Sequence, residues 1–457
     1  MVVDTTTSSI IVSVLSPDAS LSHDRIKLRL DEYRTLLASD LDTIELPNDS
    51  GKTVICRKEA NEMEQFLDQA EALLRDIVRF RDTSAITLLH DLRNLAEVLD
   101  HLKLYDECSL TGNCALDLAE ALVRRSLEFR TEQAETIALI AGLSVYQPRA
   151  RVLFIQAVSL CEEVIATNAL DTNKMSLLVV LRWASKVLNG DSICIQWLED
   201  AVQIMTDLPL SIVPNELRSV IYYNYGLCLW KLGKYVRAVE VQHNGVHIYR
   251  ELASVNPVRY TSDLVGALES LALSFYHLGQ YDDADAVYKE ALEHCRTVPA
   301  RAAPQCSGQL ARILYNYGNT LGALKQVPKA LEMEKEALSL YRELAQTETK
   351  FTTWCCYACL RYARSCHLLE QHTEAVVAYQ ESIPLLRARV VLNSDKERYL
   401  VVALHNMARS LHALGQDTQA DDAATEALQM NQQMVLNGCT NSPDFDSCFV
   451  CRRAKAS

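Results

Sequence analysis

Two short words recur in the sequence at one fixed distance. The word YRELA begins at Tyr249 and again at Tyr341, and the word YNYG begins at Tyr223 and again at Tyr315. Each pair is 92 residues apart, and a similar pattern between them divides that distance into two units of 46 residues. Self-similarity at such a period is the signature of a repeat array, in which each unit packs only against its neighbours. The sequence therefore predicts a series of similar units rather than several unrelated domains.

A turn marks the middle of each unit. The residues at this place step along the chain by 46, 46, 45 and 45 residues; they are Gly233, Gly279, Lys325, Glu370 and Gly415. A glycine after the last helical turn adopts positive φ at little cost and ends a helix. The segments on both sides carry apolar residues at helical spacing. Each unit is therefore predicted to be two helices joined by a short turn.

Small residues fix the register of these helices. They recur at three positions, 12 and then 7 residues apart, where two helix backbones must approach closely. The clear triplets are Gly226/Ala238/Gly245, Ala272/Ala284/Ala291, Gly318/Ala330/Ala337, Ala363/Ala375/Ser382 and Ala408/Ala420/Ala427. Weaker triplets upstream are Ala96/Cys108/Ala115, Ala138/Ala150/Ala157 and the degenerate Arg182/Cys194/Ala201. We predict about eight antiparallel helix pairs over residues 84–436.

The units resemble the tetratricopeptide repeat (TPR) family. The family signature is matched by Y-x2-Y-G-x2-L at Tyr222–Leu229 and by A-x3-Y-x2-A at Ala284–Ala291. The units of 42 to 46 residues exceed the family's usual 34, as in kinesin-light-chain-type arrays and the TPR arrays of mushroom-forming fungi. HEAT and armadillo repeats have a similar period, but the spaced small residues and the Gly-x-Tyr turn favour TPR. The resemblance implies an all-α fold, a right-handed superhelical solenoid.

The segments outside the array are predicted from composition. Residues 1–22 read as a disordered N-terminus, residues 23–83 as a helical cap and residues 437–457 as a flexible tail. Terminal repeats need such a cap because their outer face would otherwise stay exposed. The run from Ile10 to Leu15 is too short to span a bilayer, and no basic segment precedes it.

Charge and cysteine content narrow the classes of function. The formal net charge is −14, which disfavours nucleic acid or an anionic membrane as a partner. The 15 cysteines are odd in number and mostly lie in apolar helical patterns, which is typical of buried thiols in a reducing compartment. We expect a cytoplasmic protein.

One stretch resembles a phosphate-binding loop. LPNDSGKT ends in Gly51, Lys52 and Thr53, but Leu46 occupies the place of the first glycine of G-x-x-x-x-G-K-[ST]. The helical chain that follows supplies no parallel sheet for a nucleotide site. We interpret this stretch as a polar connector between two helices of the cap and predict no cofactor.

Three other groups of side chains are weak candidates for metal sites. Cys439, Cys448 and Cys451 offer three ligands where a structural zinc site wants four, and His243 with His247 lack the glutamate of H-E-x-x-H. The run from Cys355 to Cys359 lies on a predicted helix, and Cys359 with Cys366 reads as core packing. No metal site and no catalytic group is predicted, so an enzyme is not expected.

The TPR resemblance points instead to the concave surface formed by the first helix of each pair. It selects positions 6, 3 and 2 residues before, and 1, 4 and 5 after, the first small residue of each triplet. The predicted groove residues are Tyr223, Asn224, Trp230, Lys231, Tyr276, Arg312, Tyr315, Asn316, Asn319, Arg361, Arg364, His367, His405, Asn406, Arg409 and His412, together with Glu269 and His277.

Two features of this set indicate a partner. Asn224, Asn316 and Asn406 hold one slot in three units, where side-chain amides can hydrogen-bond an extended peptide. The Arg and His residues cluster towards the C-terminus, and arginine favours carboxylates. We predict a non-catalytic scaffold that binds a protein or a peptide with an acidic segment. The alternative is a regulatory arm that acts with a separate signalling NTPase.

Overall fold

The computed structural model describes residues 26–35, 43–48, 51–56, 63, 65–73, 85–209, 211–297, 303–390 and 397–436. The predicted terminal segments 1–22 and 437–457, and with them Cys439, Cys448 and Cys451, lie outside these residues. The proposed boundaries between cap, array and tail stay a prediction.

Sixteen α-helices follow one another from residue 85 in the described part of the chain. They are α1 (Ala85–His101), α2 (Tyr105–Arg125), α3 (Arg130–Ala141), α4 (Ala150–Thr167), α5 (Asp171–Val187), α6 (Ile193–Asp207), α7 (Asn215–Lys231), α8 (Tyr235–Val255), α9 (Pro257–His277), α10 (Tyr281–Thr297), α11 (Ala303–Ala323), α12 (Val327–Thr347), α13 (Thr352–Leu368), α14 (His372–Val390), α15 (Glu397–Ala413) and α16 (Asp417–Leu436). Short 3-10 turns occupy Leu127–Phe129, Ser144–Arg149 and Thr349–Phe351. The predicted eight helix pairs and the helical repeat fold are confirmed.

The chain divides into two compact halves, Met1–Ile248 and Tyr249–Ser457, which are called here the N-terminal and C-terminal halves. In the N-terminal half, residues 26–35 and 65–73 are helical, and Leu30, Tyr33 and Leu67 share one apolar core with α1 and α2. Arg34 donates hydrogen bonds to Asp68 and Glu71 across these two segments. In the C-terminal half, the core runs between the two helices of each pair and onto the next pair.

A β-hairpin stands between the two helical segments that precede the array. Strand β1 (Thr43–Asn48) pairs antiparallel with strand β2 (Gly51–Cys56), and the register places Asn48 opposite Gly51 and Leu46 opposite Thr53. LPNDSGKT, interpreted from the sequence as a polar loop that connects two helices, is therefore corrected to the turn and strands of a hairpin that lies between them. Gly51 to Thr53 lie in a strand, whereas a phosphate-binding loop needs its lysine and threonine at the start of a helix.

The turn between the helices has the predicted backbone in the last five pairs, α7–α8 to α15–α16. Gly233, Gly279 and Gly415 have φ of +72°, +75° and +73°, and Lys325 and Glu370 adopt φ of +60° at the equivalent place. The backbone N–H of the next residue then closes the helix end, as in the hydrogen bond from Gln326 to the Leu321 carbonyl. This geometry is kept even where the residue is not glycine.

An ion-pair ladder connects the second helices of successive pairs in the C-terminal half. Each rung joins an arginine to a glutamate 39 or 40 residues further on; the rungs are Arg250–Glu290, Arg296–Glu336, Arg342–Glu381 and Arg387–Glu426. Their Nη2–Oε2 distances are 2.7, 2.9 and 2.7 Å for the first, second and fourth rungs. Both partners of every rung are partly exposed, so the ladder fixes register more than it adds stability.

Candidate peptide-binding surface

In the N-terminal half, four predicted groove residues lie on α7, and two of them bond to the preceding pair. Asn224 is buried and its Nδ2 donates to Ser185 Oγ at 3.0 Å. The Nζ of Lys231 donates to the carbonyl of Asn189 at 3.1 Å. Tyr223 and Trp230 are half-buried beside them. The polar groups of Asn224 and Lys231 thus hold successive pairs together.

In the C-terminal half, a buried acidic side chain binds two of the predicted groove residues at the N-terminal end of the surface. Glu269 on α9 is only 3% exposed and accepts hydrogen bonds from Arg312 and Asn316 on α11. The Arg312 Nη2–Glu269 Oε2 distance is 2.6 Å, and the Asn316 Nδ2–Glu269 Oε1 distance is 3.0 Å. The carboxylate therefore compensates the charge of Arg312 and orients both side chains, although the Arg312 side chain is 45% exposed.

A second buried acid lies one pair further along. Glu334 on α12 is 3% exposed, and its Oε1 is 3.8 Å from Arg361 Nε on α13. Burial raises the pKa of Glu334 to about 7, opposed by a hydrogen bond from Ser365 and by the charges of Arg361 and Arg364. Its Oε2 has no hydrogen-bond partner among the described residues. A carboxyl group that takes up a proton near neutral pH thus lies behind two predicted groove arginines.

Three residues hold the slot directly after the first small residue in successive pairs. They are Asn319 on α11, Arg364 on α13 and Arg409 on α15. Arg364 and Arg409 are exposed, and neither lies within ion-pair distance of a carboxylate in the part of the chain that the structure describes. The Oδ1 of Asn319 is buried without a hydrogen-bond partner there. Unlike Arg312, these two guanidinium groups keep their donors available to a ligand.

The predicted histidines lie at the C-terminal end of this surface. His367 shares a hydrogen bond of 2.8 Å with Ser410 Oγ across α13 and α15, and burial lowers its pKa to about 4, so the ring is neutral at physiological pH. His405 is buried, and His412 contacts Asp417 at 2.6 Å. Asn406 is half-buried on α15. His367 therefore adds no positive charge to this surface near pH 7.

Aromatic rings lie near the start of α13 and α15, the helices that carry Arg364 and Arg409. Tyr315 meets Trp354 edge-on with ring centroids 6.0 Å apart, and Tyr357 lies 5.6 Å from the ring of Tyr399. Trp354 and Tyr399 are 38% and 50% exposed. Further back, Tyr276 contacts the rings of His277 and Tyr281.

Sequence reasoning missed Glu334, Trp354 and Tyr399. Trp354 and Tyr399 lie nearer the start of their helices than the positions that the resemblance selects. The sequence does contain a signal for Glu334. It occupies the position that Tyr288 and Tyr379 hold in the neighbouring units, and the residue opposite it is Gly318 where those units have an alanine. A Cβ on Gly318 would lie 2.8 Å from Glu334 Cγ, so the glycine makes room for the acid.

Within the described ranges, every helix is too short or too polar to cross a bilayer.

Comparisons with known proteins agree with this geometry at the level of the fold. A family model of the tetratricopeptide repeat matches residues 263–343, from α9 into α12. No curated protein sequence matches the chain.

Among solved structures, the apo form of RapI is similar over 77% of this chain and 99% of its own, with 10% identity and a TM-score of 0.51. BtubC (BKLC) from P. vanneervenii has 17% identity and a TM-score of 0.40 over 54% of this chain and 90% of its own. A Pyrococcus horikoshii STAND protein with a tetratricopeptide repeat sensor has 14% identity and a TM-score of 0.49 over 85% of this chain and 57% of its own. The family-model match and the likeness to RapI confirm the predicted resemblance: the chain has a helical-repeat fold, and its residues 263–343 match the tetratricopeptide repeat.

Proposed function

We propose that the protein is a non-catalytic cytoplasmic scaffold whose C-terminal half binds an extended, acidic protein segment along α11, α13 and α15. One observation carries the proposal. Arg364 and Arg409 occupy the same repeat slot in adjacent pairs, both are exposed, and neither is within ion-pair distance of a described carboxylate, whereas Arg312 and Arg387 are paired with glutamates.

The spacing of the arginines sets the spacing of the ligand's acids. Helices α13 and α15 are in contact, and packed helices lie about 8–10 Å apart. An extended chain advances about 3.3 Å per residue, so carboxylates about three residues apart would meet the two guanidinium groups. Trp354 and Tyr399 lie ten residues before the arginines on the same two helices, about 15 Å along the axis, and offer exposed rings for an apolar residue elsewhere in the ligand.

The test is a pair of charge reversals of equal size. Arg364→Glu with Arg409→Glu is expected to weaken binding of a fluorescent peptide carrying two glutamates three residues apart by at least tenfold, measured by anisotropy. Lys329→Glu with Lys335→Glu, at exposed positions of the second helix α12, changes the net charge equally and should leave the affinity within about twofold. Equal loss in both double variants would show that only net charge attracts the peptide, and the proposal would be abandoned.

The wild type and the two double variants can also be compared by the proteins that each captures from native lysate. A partner retained by the wild type and by the control pair, but lost from Arg364→Glu/Arg409→Glu, supports the scaffold. Capture of one dedicated NTPase, unaffected by the groove reversal, would favour the regulatory arm instead.

A further inference from the structure

Two thiols and a carboxylate converge in the core of the C-terminal half. Cys355 and Cys359 lie one turn apart on α13, and Glu381 lies on α14. One Sγ from each cysteine and a carboxylate oxygen are all within 4.8 Å of one another. The thiols are buried, and the Glu381 side chain is 35% exposed, so the cluster has one side towards solvent.

The cysteines break the pattern of the array at these positions. In the register of the small residues, the place of Cys355 is held by Leu264, Leu310 and Leu400 in α9, α11 and α15. The place of Cys359 is held by leucine in the same three helices; these are Leu268, Leu314 and Leu404. Two leucines are thus exchanged for two thiols in one unit only, which removes apolar volume from the core.

The exchange occurs beside a rung of the ion-pair ladder. Glu381 pairs with Arg342 through two hydrogen bonds, of which the Nε–Oε1 bond is 3.0 Å. Glu290, Glu336 and Glu426 make the equivalent rungs, but leucines occupy the two thiol positions in the pairs that start with α9, α11 and α15. The Cys359 thiol lies within hydrogen-bond reach of the Cys355 sulfur and of the Glu381 carboxylate. The three ligand atoms therefore already converge.

The donor set has the chemistry of a zinc site. Zn²⁺ takes cysteine sulfur and carboxylate oxygen in tetrahedral sites, and a site with three protein ligands keeps its fourth position for water. Two thiolates and one carboxylate would carry three negative charges, which Zn²⁺ and the guanidinium of Arg342 would neutralise. Arg342 would act from outside the site by holding the carboxylate in place, as groups behind metal ligands commonly do.

We propose that Cys355, Cys359 and Glu381 bind one Zn²⁺ ion, with the fourth position open to water on the exposed side of Glu381. The bound ion ties α13 to α14 and, through Arg342, to α12. Two of its ligands lie on α13, the helix that also carries Arg364, but their thiols are buried whereas Arg364 is exposed.

The experiment uses the full chain under a non-thiol reductant, with Cys439, Cys448 and Cys451 changed to serine so that the tail thiols add no background. Cd²⁺ is the optical probe, because thiolates bound to Cd²⁺ give charge-transfer absorption in the ultraviolet. We expect one equivalent of Cd²⁺ to be bound and to be displaced by Zn²⁺, and Zn²⁺ to raise the melting temperature. Both effects should be lost in Cys355→Ser and in Cys359→Ser, and the affinity should fall at least tenfold in Glu381→Gln.

The matched control is Cys356→Ala. Cys356 is an equally buried neighbour on the same helix whose thiol points to the Ser382 carbonyl, so this variant should keep one equivalent of Cd²⁺. X-ray absorption on the zinc-loaded parent should report two sulfur and two lighter ligands, a result that does not depend on how the variants fold.

Three outcomes would overturn the proposal. The first is the absence of a stoichiometric equivalent of bound metal under reductant. The second is a zinc shell with no sulfur or with four sulfurs. The third is a reduced protein that takes no metal but forms a Cys355–Cys359 disulfide with peroxide, which would make the thiols a redox pair instead.

Discussion

Three residues in the array adopt a backbone conformation that their side chains disfavour. Lys103, Lys325 and Glu370 have φ of +60° where three equivalent turns use glycine. A residue with a Cβ in the left-handed conformation destabilises the folded state by roughly 1–2 kcal/mol. Replacing it by glycine removes this strain but also gives the unfolded chain more conformational freedom, so the net gain in stability is smaller. The turn therefore imposes its geometry on whatever residue stands there.

We predict that Lys325→Gly and Glu370→Gly each raise the free energy of unfolding by about 0.5–1 kcal/mol, measured by urea denaturation. The reverse change, Gly279→Ala, should lower it by a similar amount even though a Cβ there would meet nothing within 4 Å. Glycine variants that unfold at lower urea than the wild type would contradict a strained turn.

Glu334 makes the stability of the folded protein depend on pH, and the sign of this dependence follows from the direction of its pKa shift. Its pKa is raised by burial from 4.5 to about 7 in the folded state, so the folded protein holds a proton that the unfolded chain has released. The contribution of Glu334 to stability is therefore greatest below pH 4.5, falls as the pH rises to 7 and is flat above that.

Glu334→Gln should remove this fall. At about 1.4 kcal/mol per pKa unit, the variant should gain up to about 3 kcal/mol relative to the wild type between pH 4.5 and pH 8. Denaturation curves of both proteins across this range measure the difference, in which the other titrating groups cancel. A difference that does not change with pH would show that Glu334 titrates normally.

At the scale of the helices, two kinds of ion pair contribute differently to the stability of the fold. The buried Glu269 depends on Arg312 and Asn316 of the next first helix, whereas the ladder pairs are partly exposed on both sides. Removing one partner of a buried pair leaves an uncompensated charge, while an exposed pair adds little.

We predict that Arg312→Met lowers the free energy of unfolding by about 1–3 kcal/mol, which is less than for a fully buried pair because Arg312 is partly exposed. Arg296→Met, which breaks a ladder rung, should cost less than about 1 kcal/mol. Adding Glu269→Leu to Arg312→Met should recover part of the loss. Equal costs for the two single variants would refute the distinction.

The helices themselves are predictable because their signals are local. Turn positions, small residues and helical spacing are enough to place eight pairs along the chain. The hairpin was missed although Thr43–Asn48 and Gly51–Cys56 flank typical turn residues, because the helical character of the chain outweighed that short signal.

The candidate surface could be predicted only in part from the sequence. Its positions follow from the repeat register, but pairings such as Glu269–Arg312 join residues 43 apart through the packing of neighbouring pairs. No local pattern distinguishes Arg312, held by a buried acid, from Arg364, which is exposed on the surface.

At the scale of the whole molecule, the array is a chain of nearest-neighbour contacts, and stability should grow with the number of pairs. The C-terminal half contains four complete pairs, α9 to α16, above the about three repeats that a stable array needs.

We predict that a fragment of residues 249–436 is helical and unfolds cooperatively in urea, followed by circular dichroism. A fragment of residues 249–347, with two pairs, should be largely unfolded under the same conditions. An unfolded longer fragment would mean that the C-terminal half requires the N-terminal half for its stability.

The ion-pair ladder and the helix contacts within each pair do not repeat in the same way. The arginine–glutamate ladder recurs every 45 or 46 residues on the second helices, but the residues that face each other within a pair vary: Gly226 with Gln242, Ala272 with Tyr288, Gly318 with Glu334, Ala363 with Tyr379 and Ala408 with Ala424. A first helix exchanged between units would therefore leave the ladder in register. An alanine brought to position 318 in this way would nevertheless place its Cβ 2.8 Å from Glu334 Cγ, so the first and second helices of a unit are matched to each other.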